Sequence, residues 1–398
     1  MGILDLPICL IALILGFNLK NKFKLLDVYD KRVLNKLFYF HLFIGTVFYF
    51  YIQGRGDAVY YWMHPKDLSF GELWHNINSR SYASDYIYLL NFFFSNTLNL
   101  SFFTGSILYC VLGYKAIVYY YVILKKLTSN FQSLKKTKIL NISIFPFFLF
   151  FPNLHFWSSG IGKDTLLFFC IALFVYSLFD LRQNVVNITL SIVLSIFVRP
   201  HITMFLIVGF GFGYALSGEL KSYQKFFVIL IFALGFSLMF NYVLSFIKLE
   251  SLDLESVEKY ANHKATVLSS KSTSGIDISS YPYLLKILTY LYRPLFFDIN
   301  NAIAIVASFE NLFLLLLTFK LFKRKNLKYI KKSGRIIKGS VFFLLIGTLT
   351  FSLILGNLGI MLREKNMFTP LFLIMAYWLL SVSSFKINRN NLKNNNGH

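Results

Sequence analysis

The amino-acid sequence predicts an all-α protein, a polytopic transmembrane helix bundle of about eleven spans. Three observations predict it. The 398 residues are 56% hydrophobic and only 15% charged, where soluble domains carry about one quarter charged. Apolar runs recur at near-spanning length, and roughly 20 residues make one crossing. Basic residues concentrate in alternate connecting segments, the pattern that orients membrane proteins. An ordinary soluble enzyme is excluded. Disorder is excluded too, because Phe, Ile and Leu dominate the chain.

The apolar runs fall at about 4–18, 37–52, 100–124, 139–153, 165–181, 186–199, 202–217, 226–247, 302–322, 339–356 and 366–385. The first has no Lys or Arg before it and Lys20, Lys22 and Lys24 after it. A signal peptide has the opposite charge order, so the run reads as a retained span with an exported N-terminus. Several runs are short and are expected to tilt or to cross only in part. The stretches 86–97 and 283–300 are apolar but interrupted by Asn91, Asn96, Arg293 and Asp298. They read as short interfacial or re-entrant helices, because irregular backbone at that depth needs protein or a wet cavity around it. Cys9, Cys110 and Cys170 lie inside apolar runs without CxxC spacing, which supports neither a zinc site nor a disulfide framework.

The net charge of +22 invites a nucleic-acid reading, and its distribution answers that. One set of connections (19–36, 125–138, 182–185, 218–225, 320–338 and the tail after 385) holds 26 basic residues against Asp27, Asp30, Asp180 and Glu219. The other set (53–85, 154–164, 199–201, 248–301 and 357–365) holds 13 basic against 12 acidic residues. The positive-inside rule makes the first set cytoplasmic, and the alternation persists through every run. The excess charge is therefore read as topology, with no nucleic-acid partner. The chain reads as a single integral membrane domain, 1–398, in the bacterial inner membrane, with its C-terminus cytoplasmic. Its exported loops are about 53–99 and 248–301, and its basic cytoplasmic loops include 19–36, 125–138 and 320–338. Without a cytoplasmic domain there is no obvious seat for ATP or a nucleotide sugar, so chemistry or binding is expected on the exported face.

Gly160-Ile-Gly-Lys-Asp-Thr165 resembles a P-loop fragment, but Trp157 stands where that motif needs Gly and Asp164 follows the Lys where it needs Ser or Thr. What remains is a tight polar turn from Trp157 that opens a span at Thr165. Two readings fit it: an anion site built from helix amides and Lys163, or a cap with Asp164 as N-cap and Lys163 at the headgroups. Arg199-Pro200-His201 interrupts an otherwise continuous apolar stretch. Ionisable groups at that boundary default to function, against a turn whose Arg snorkels. Arg293-Pro294 follows Tyr290 and Tyr292. Glu310, deep in a span, wants a cationic partner, for which Lys115 is one candidate; a structural ion pair would account for both. Arg363, Glu364 and Lys365 share a short exported loop.

The first exported loop carries Arg55 and Asp57, then His64, Asp67, Glu72, His75 and Arg80 among Tyr60, Tyr61, Trp62 and Trp74. His64 and His75 lack metal-ligand spacing, so no metal or other cofactor is expected. The aromatics suit stacking on sugar rings and equally an interfacial belt. Gly209-Phe-Gly-Phe-Gly213 lies within a span and reads as GxxxG helix packing.

Lys163, Arg199, Arg293 and Arg363 thus share one predicted membrane face, and Arg recognises phosphate through its planar fork. A lipid-linked diphosphate at the outer headgroups is a fitting ligand. Cations would stabilise the diphosphate leaving group, and His201, Asp57 or Asp164 would act as base toward a sugar hydroxyl.

The runs Asn153-Leu-His-Phe-Trp-Ser-Ser-Gly-Ile-Gly-Lys-Asp164 and Val198-Arg-Pro-His201, with Arg293-Pro294 before Phe309-Glu-Asn311, resemble integral membrane proteins of bacterial surface-polysaccharide clusters. The closest likeness is to the Wzy-type O-antigen or capsule repeat-unit polymerases, in layout over the whole chain and in these short runs. The resemblance implies a metal-free inner-membrane enzyme. It would transfer a growing glycan from undecaprenyl diphosphate to the next lipid-linked oligosaccharide on the periplasmic side, alongside a chain-length regulator and a flippase of the same pathway. Arginines of its periplasmic loops would matter, and Arg199, Arg293 and Arg363 fill those positions here. The two large exported loops depart from the family in not being Arg-rich. The expected site is therefore Arg199, His201, Asp164 and Asp57 for catalysis, and Lys163, Arg293, Arg363, Arg55 and Trp157 for the diphosphate and sugar. A single-sugar lipid-linked glycosyltransferase and a polysaccharide flippase or transporter remain the alternatives. A sugar-decorating acyltransferase usually needs a deep His or Ser near the cytoplasmic side, and none is evident.

Overall fold

The computed structural model describes residues 2–54, 56–80, 83–128, 138–139, 142–218, 221–247, 260, 263–269, 274–322 and 324–395. Among them the chain is helical apart from one antiparallel pair of two-residue strands, Lys138–Ile139 (β1) and Ile142–Ser143 (β2). It divides into two compact units. One comprises Met1–Lys125 with Leu149–Arg199, the other Lys126–Phe148 with Pro200–His398.

The first unit contains α1 (Asp5–Asn18), α2 (Val28–Ile52), α3 (Asp57–Met63), α4 (Phe70–Arg80), α5 (Ala83–Phe92) and α6 (Phe102–Thr128). α8 (Pro152–Phe156), α9 (Lys163–Ser177) and α10 (Val185–Val198) complete it. α2 starts nine residues before the apolar run 37–52, inside the basic connection 19–36, at a cap formed by Asp27. The Asp27 carboxylate accepts from Asp30 N at 2.8 Å and Asp30 returns the bond to Asp27 N at 3.0 Å, a reciprocal capping box. Asp30 is 1% exposed, and Lys125 reaches it at 2.9 Å while the Tyr121 hydroxyl donates to it at 2.8 Å. Asp27 and Asp30, two of the four acids of the basic connections, thus fix this helix start. The exposed Asp27 carboxyl is held below the usual carboxylate range, first by the Asp30 backbone bond and then by Lys125.

The second unit contains α7 (Ile144–Phe147), α11 (Pro200–Ala215), α12 (Ser222–Ile247), α13 (263–269) and α14 (Tyr283–Tyr292). α15 (Ala302–Leu321), α16 (Arg324–Lys331), α17 (Arg335–Ile354), α18 (Leu358–Lys365) and α19 (Thr369–Asn395) follow. α11 and α17 cross at glycines. A Cβ on Gly209 would lie 2.7 Å from the Phe343 nitrogen, and one on Gly213 would lie 2.5 Å from the Gly339 nitrogen. The GxxxG reading of 209–213 describes this crossing.

Among the described residues, four helices are long and apolar enough to cross a membrane: α2 (25 residues), α6 (27), α15 (20) and α17 (20). α18 with Thr369–Ser383, bent by 59°, makes a fifth if the pair is one broken span. Val185–Val198 and Pro200–Ala215 are apolar but shorter. Ten of the eleven apolar runs coincide with helices. The exception is 139–153, which is no single helix. Pro146 and Pro152 divide it, and Phe145, before the first proline, is extended at φ −98° and ψ 131°. Proline removes the amide a helix needs and pushes its predecessor out of the helical region.

Candidate functional site

In the first unit the polar turn 157–162 connects α8 to α9 and is closed by its own side chains. Ser158 Oγ donates to Leu154 O at 2.7 Å, Ser159 Oγ to Phe156 O at 3.1 Å, and Thr165 Oγ1 to Gly160 O at 2.6 Å. Gly162, at φ 142°, is the N-cap residue. Only glycine takes that conformation without strain, and a Cβ there would press on the Tyr61 ring at 3.0 Å. The reading of Asp164 as N-cap, one of the two offered, is therefore corrected: Gly162 is the N-cap, α9 begins at Lys163, and Asp164 lies in its first turn.

The Asp164 carboxylate is used elsewhere. It accepts from Arg199 Nη2 at 3.1 Å, the two side chains being 14% and 12% exposed. Arg199 is delivered by the end of α10, where its own amide still bonds to Ser195 O at 2.8 Å before Pro200 stops the helix. Lys163 donates to Ser84 Oγ at 3.3 Å and its ammonium stands 5.6 Å from the centre of the Tyr61 ring. Tyr86 stacks on Phe197 with ring centres 4.5 Å apart. The indole N–H of Trp157 is buried and has no hydrogen-bond partner among the described residues.

Three of the residues singled out from sequence, Lys163, Asp164 and Arg199, with Trp157 at the head of the same turn, therefore belong to one locality. Tyr61, from α3, was among the loop aromatics named from sequence, whereas Ser84, from α5, carries no local motif and was missed. Asp57 is exposed at the start of α3, after Gly56 at φ 80°. Burial first, then the charges of Asp85 and Asp57, push the Tyr88 phenol up. Arg55 lies outside the described residues. No group of three or more His, Cys, Asp or Glu is placed to hold a metal ion among the described residues.

In the second unit the His201 ring packs edge-on against Phe205 and Phe351, at 6.0 and 5.9 Å. The Arg293 guanidinium is gripped by Asp298 through Nε at 3.0 Å and through Nη2. Those bonds raise its pKa further, and Phe297 covers it at 5.3 Å. Beyond Pro294, whose carbonyl accepts from Asn311 Nδ2 at 2.8 Å, the chain of bonds continues to Lys365. This buried ammonium donates to Asn311 Oδ1 at 2.6 Å and to Leu291 O at 3.0 Å. Glu310 acts electrostatically on Lys365, while Lys115 sits over Phe169 at 5.0 Å. Arg363 lies half-buried on α18, two residues before Lys365. Beside Lys365 is a cavity of about 310 Å³, lined by Tyr290, Leu314, Thr318, Leu345 and Phe368 among others.

Compared with protein-family models, with curated proteins and with solved structures, the chain matches none.

Proposed function

We propose that this protein is a Wzy-type polymerase that joins undecaprenyl-diphosphate-linked repeat units into a surface polysaccharide on the exported face of a bacterial inner membrane. The observation that carries the reading is the Lys163–Asp164–Arg199 group at the start of α9, beside Tyr61 and Trp157. The positive end of a helix dipole and an adjacent ammonium favour a phosphate group. Arg199 holds the Asp164 carboxylate in place. A carboxylate so oriented takes the proton from an acceptor hydroxyl as the bond from the sugar to the diphosphate breaks. The cations then stabilise the charge left on the diphosphate. The Trp157 N–H is a spare donor for a sugar oxygen, and the aromatic walls suit stacking on pyranose rings. Arg293 and Arg363 are assigned to substrate binding in the second unit, where the apolar cavity suits a hydrocarbon chain.

The bundle is read as about eleven crossings, supported by the coincidence of most apolar runs with helices and by the alternation of basic connections. The N-terminus is read as exported and the C-terminus as cytoplasmic.

The test is the length distribution of surface polysaccharide in a strain lacking the gene and complemented with variants. Arg199→Ala and Asp164→Ala, inserted at normal levels, should each cut long-chain product 100-fold or more, the usual loss when a transition-state charge partner is removed. Wild-type chain lengths from both variants would overturn the assignment. Loss of the gene separates the alternatives. A missing polymerase leaves single exported units, a missing flippase leaves units inside, and a missing single-sugar transferase shortens each unit by one sugar.

A further inference from the structure

We infer that His41 and His155 together form a buried binding site for one proton, beside the turn that leads to Lys163 and Asp164. His41 comes from α2 and His155 from α8, 114 residues apart, and both are 0% exposed. His41 Nε2 lies 3.0 Å from the Cys110 carbonyl oxygen, and His155 Nε2 lies 2.7 Å from the Leu149 carbonyl oxygen. The two Nδ1 atoms face each other at 2.9 Å.

A carbonyl only accepts, so each Nε2 carries a hydrogen. In a neutral ring Nδ1 is then a bare lone pair, and two lone pairs do not pack at that distance. One further hydrogen between the Nδ1 atoms makes the contact a charge-assisted bond. The pair is then an imidazole–imidazolium couple with a single positive charge. Turning either ring over would place carbon at both of its contacts and lose two of the three bonds, so the orientation is set by the network. A metal ion is not accommodated. Two imidazole nitrogens on one tetrahedral ion stand about 3.3 Å apart, given metal–nitrogen distances near 2.0 Å.

Among the described residues the surroundings supply no counter-ion. From α6 come Tyr114, whose hydroxyl is committed to Leu34 O at 3.0 Å, and the Cys110 thiol, which donates to His41 O at 3.8 Å. Phe40 meets the His155 ring edge-on at 4.8 Å. No carboxylate, ammonium or guanidinium bonds either ring among the described residues. The proton is held by two carbonyl dipoles and the partner ring alone.

Loading is coupled to the candidate site. His155 stands two residues before Trp157. The Ser158 carbonyl lies 1.8 Å from the position a Gly113 Cβ would take, and His41 Nε2 lies 3.1 Å from that same point. With the proton, α2 is bonded to α8. Without it the central bond is lost, and α2 holds the turn leading to Lys163 through ring packing such as Phe48 on Phe156 at 5.0 Å, which has no fixed polar register. The proton site itself is independent of the polymerase reading, and only its consequence for catalysis rests on that reading.

The test uses the full chain in detergent or nanodiscs and follows its unfolding midpoint against pH, which needs no substrate. Unfolded, both histidines titrate near pH 6.5 and bind two protons in acid, whereas the folded pair binds one. Below that pH the unfolded chain holds more protons and acid destabilises. Above it the folded chain keeps a proton that the unfolded chain has released, so alkali also destabilises. The expected curve has two limbs. His41→Gln places an uncharged amide at the central contact, and the alkaline limb should lose a slope of about one proton per molecule. A wild-type midpoint that only rises with pH to a plateau would overturn the proposal, as would an alkaline limb unchanged in His41→Gln. Should that variant fail to fold, 15N spectra of histidine-labelled wild-type protein at neutral pH decide. Both Nε2 protonated with one hydrogen shared between the Nδ1 atoms is expected, and two neutral rings overturn it.

Discussion

At the scale of single residues, the candidate site is a matter of what each charged side chain already holds. Arg199 and Asp164 hold one another, so a conservative substitution separates structure from chemistry. Arg199→Lys keeps a cation but loses the planar fork that suits phosphate, and long-chain product should fall about 10-fold while the protein level is unchanged. Its measure is the ladder of chain lengths on a gel, normalised to membrane-inserted protein. Asp27 permits a cleaner stability prediction. Asp27→Ala removes the side-chain acceptor at the start of α2 and should cost about 1 kcal/mol, read from the unfolding midpoint in urea or heat. Because its folded carboxyl sits below the usual range, its contribution is present above an unfolded pKa of about 3.9 and fades as pH drops through the lower folded value. Asp27→Ala should therefore be closest to wild type at the acid end of the titration. The residues named from sequence were charged ones beside proline, glycine or an apolar run. What was missed were pairings, such as His41 with His155 and Lys365 with Asn311, whose members lie 114 and 54 positions apart. No local pattern marks such a pair.

At the scale of elements, glycines decide which helices touch. Gly213→Val would drive a side chain into the Gly339 backbone of α17, 2.5 Å from where its Cβ must go. Overpacking of that kind costs about 1–3 kcal/mol. A drop in the thermal midpoint of that order is expected, with loss of any cross-link engineered between α11 and α17. Gly113→Ala tests the same principle beneath the candidate site. Its methyl would occupy the space of the Ser158 carbonyl, so the turn must shift, and long-chain product should fall even though no charged residue has changed. Helix positions were legible because apolar runs and their polar flanks are local properties. The run 139–153 was misread because its composition is that of a span, while Pro146 and Pro152 forbid the continuous backbone that a span requires.

At the scale of the whole chain, the charge asymmetry makes a topological prediction. Lys328→Cys, in the connection before α17, should react with an impermeant thiol reagent only after the inner face is opened. Ser280→Cys, in the large second loop, should react in cells with a permeable outer envelope. Both positions are exposed and the native Cys9, Cys110 and Cys170 are all buried, so the background is low. The reverse pattern would invert the orientation and move Lys163 and Arg199 to the cytoplasmic side, where the polymerase reading has no substrate. Composition and spacing alone carried the helical class, the positions of most helices and the expected sidedness, because each depends on how a short segment partitions between water and hydrocarbon. The meeting of Asp164 with Arg199, the linking of Lys365 to Asn311 and the closing of His41 on His155 came only with folding. Such meetings depend on which helices cross and at what depth. That is settled by close contact at a few glycines and by the need of every buried polar atom for a partner, neither of which a sequence window contains.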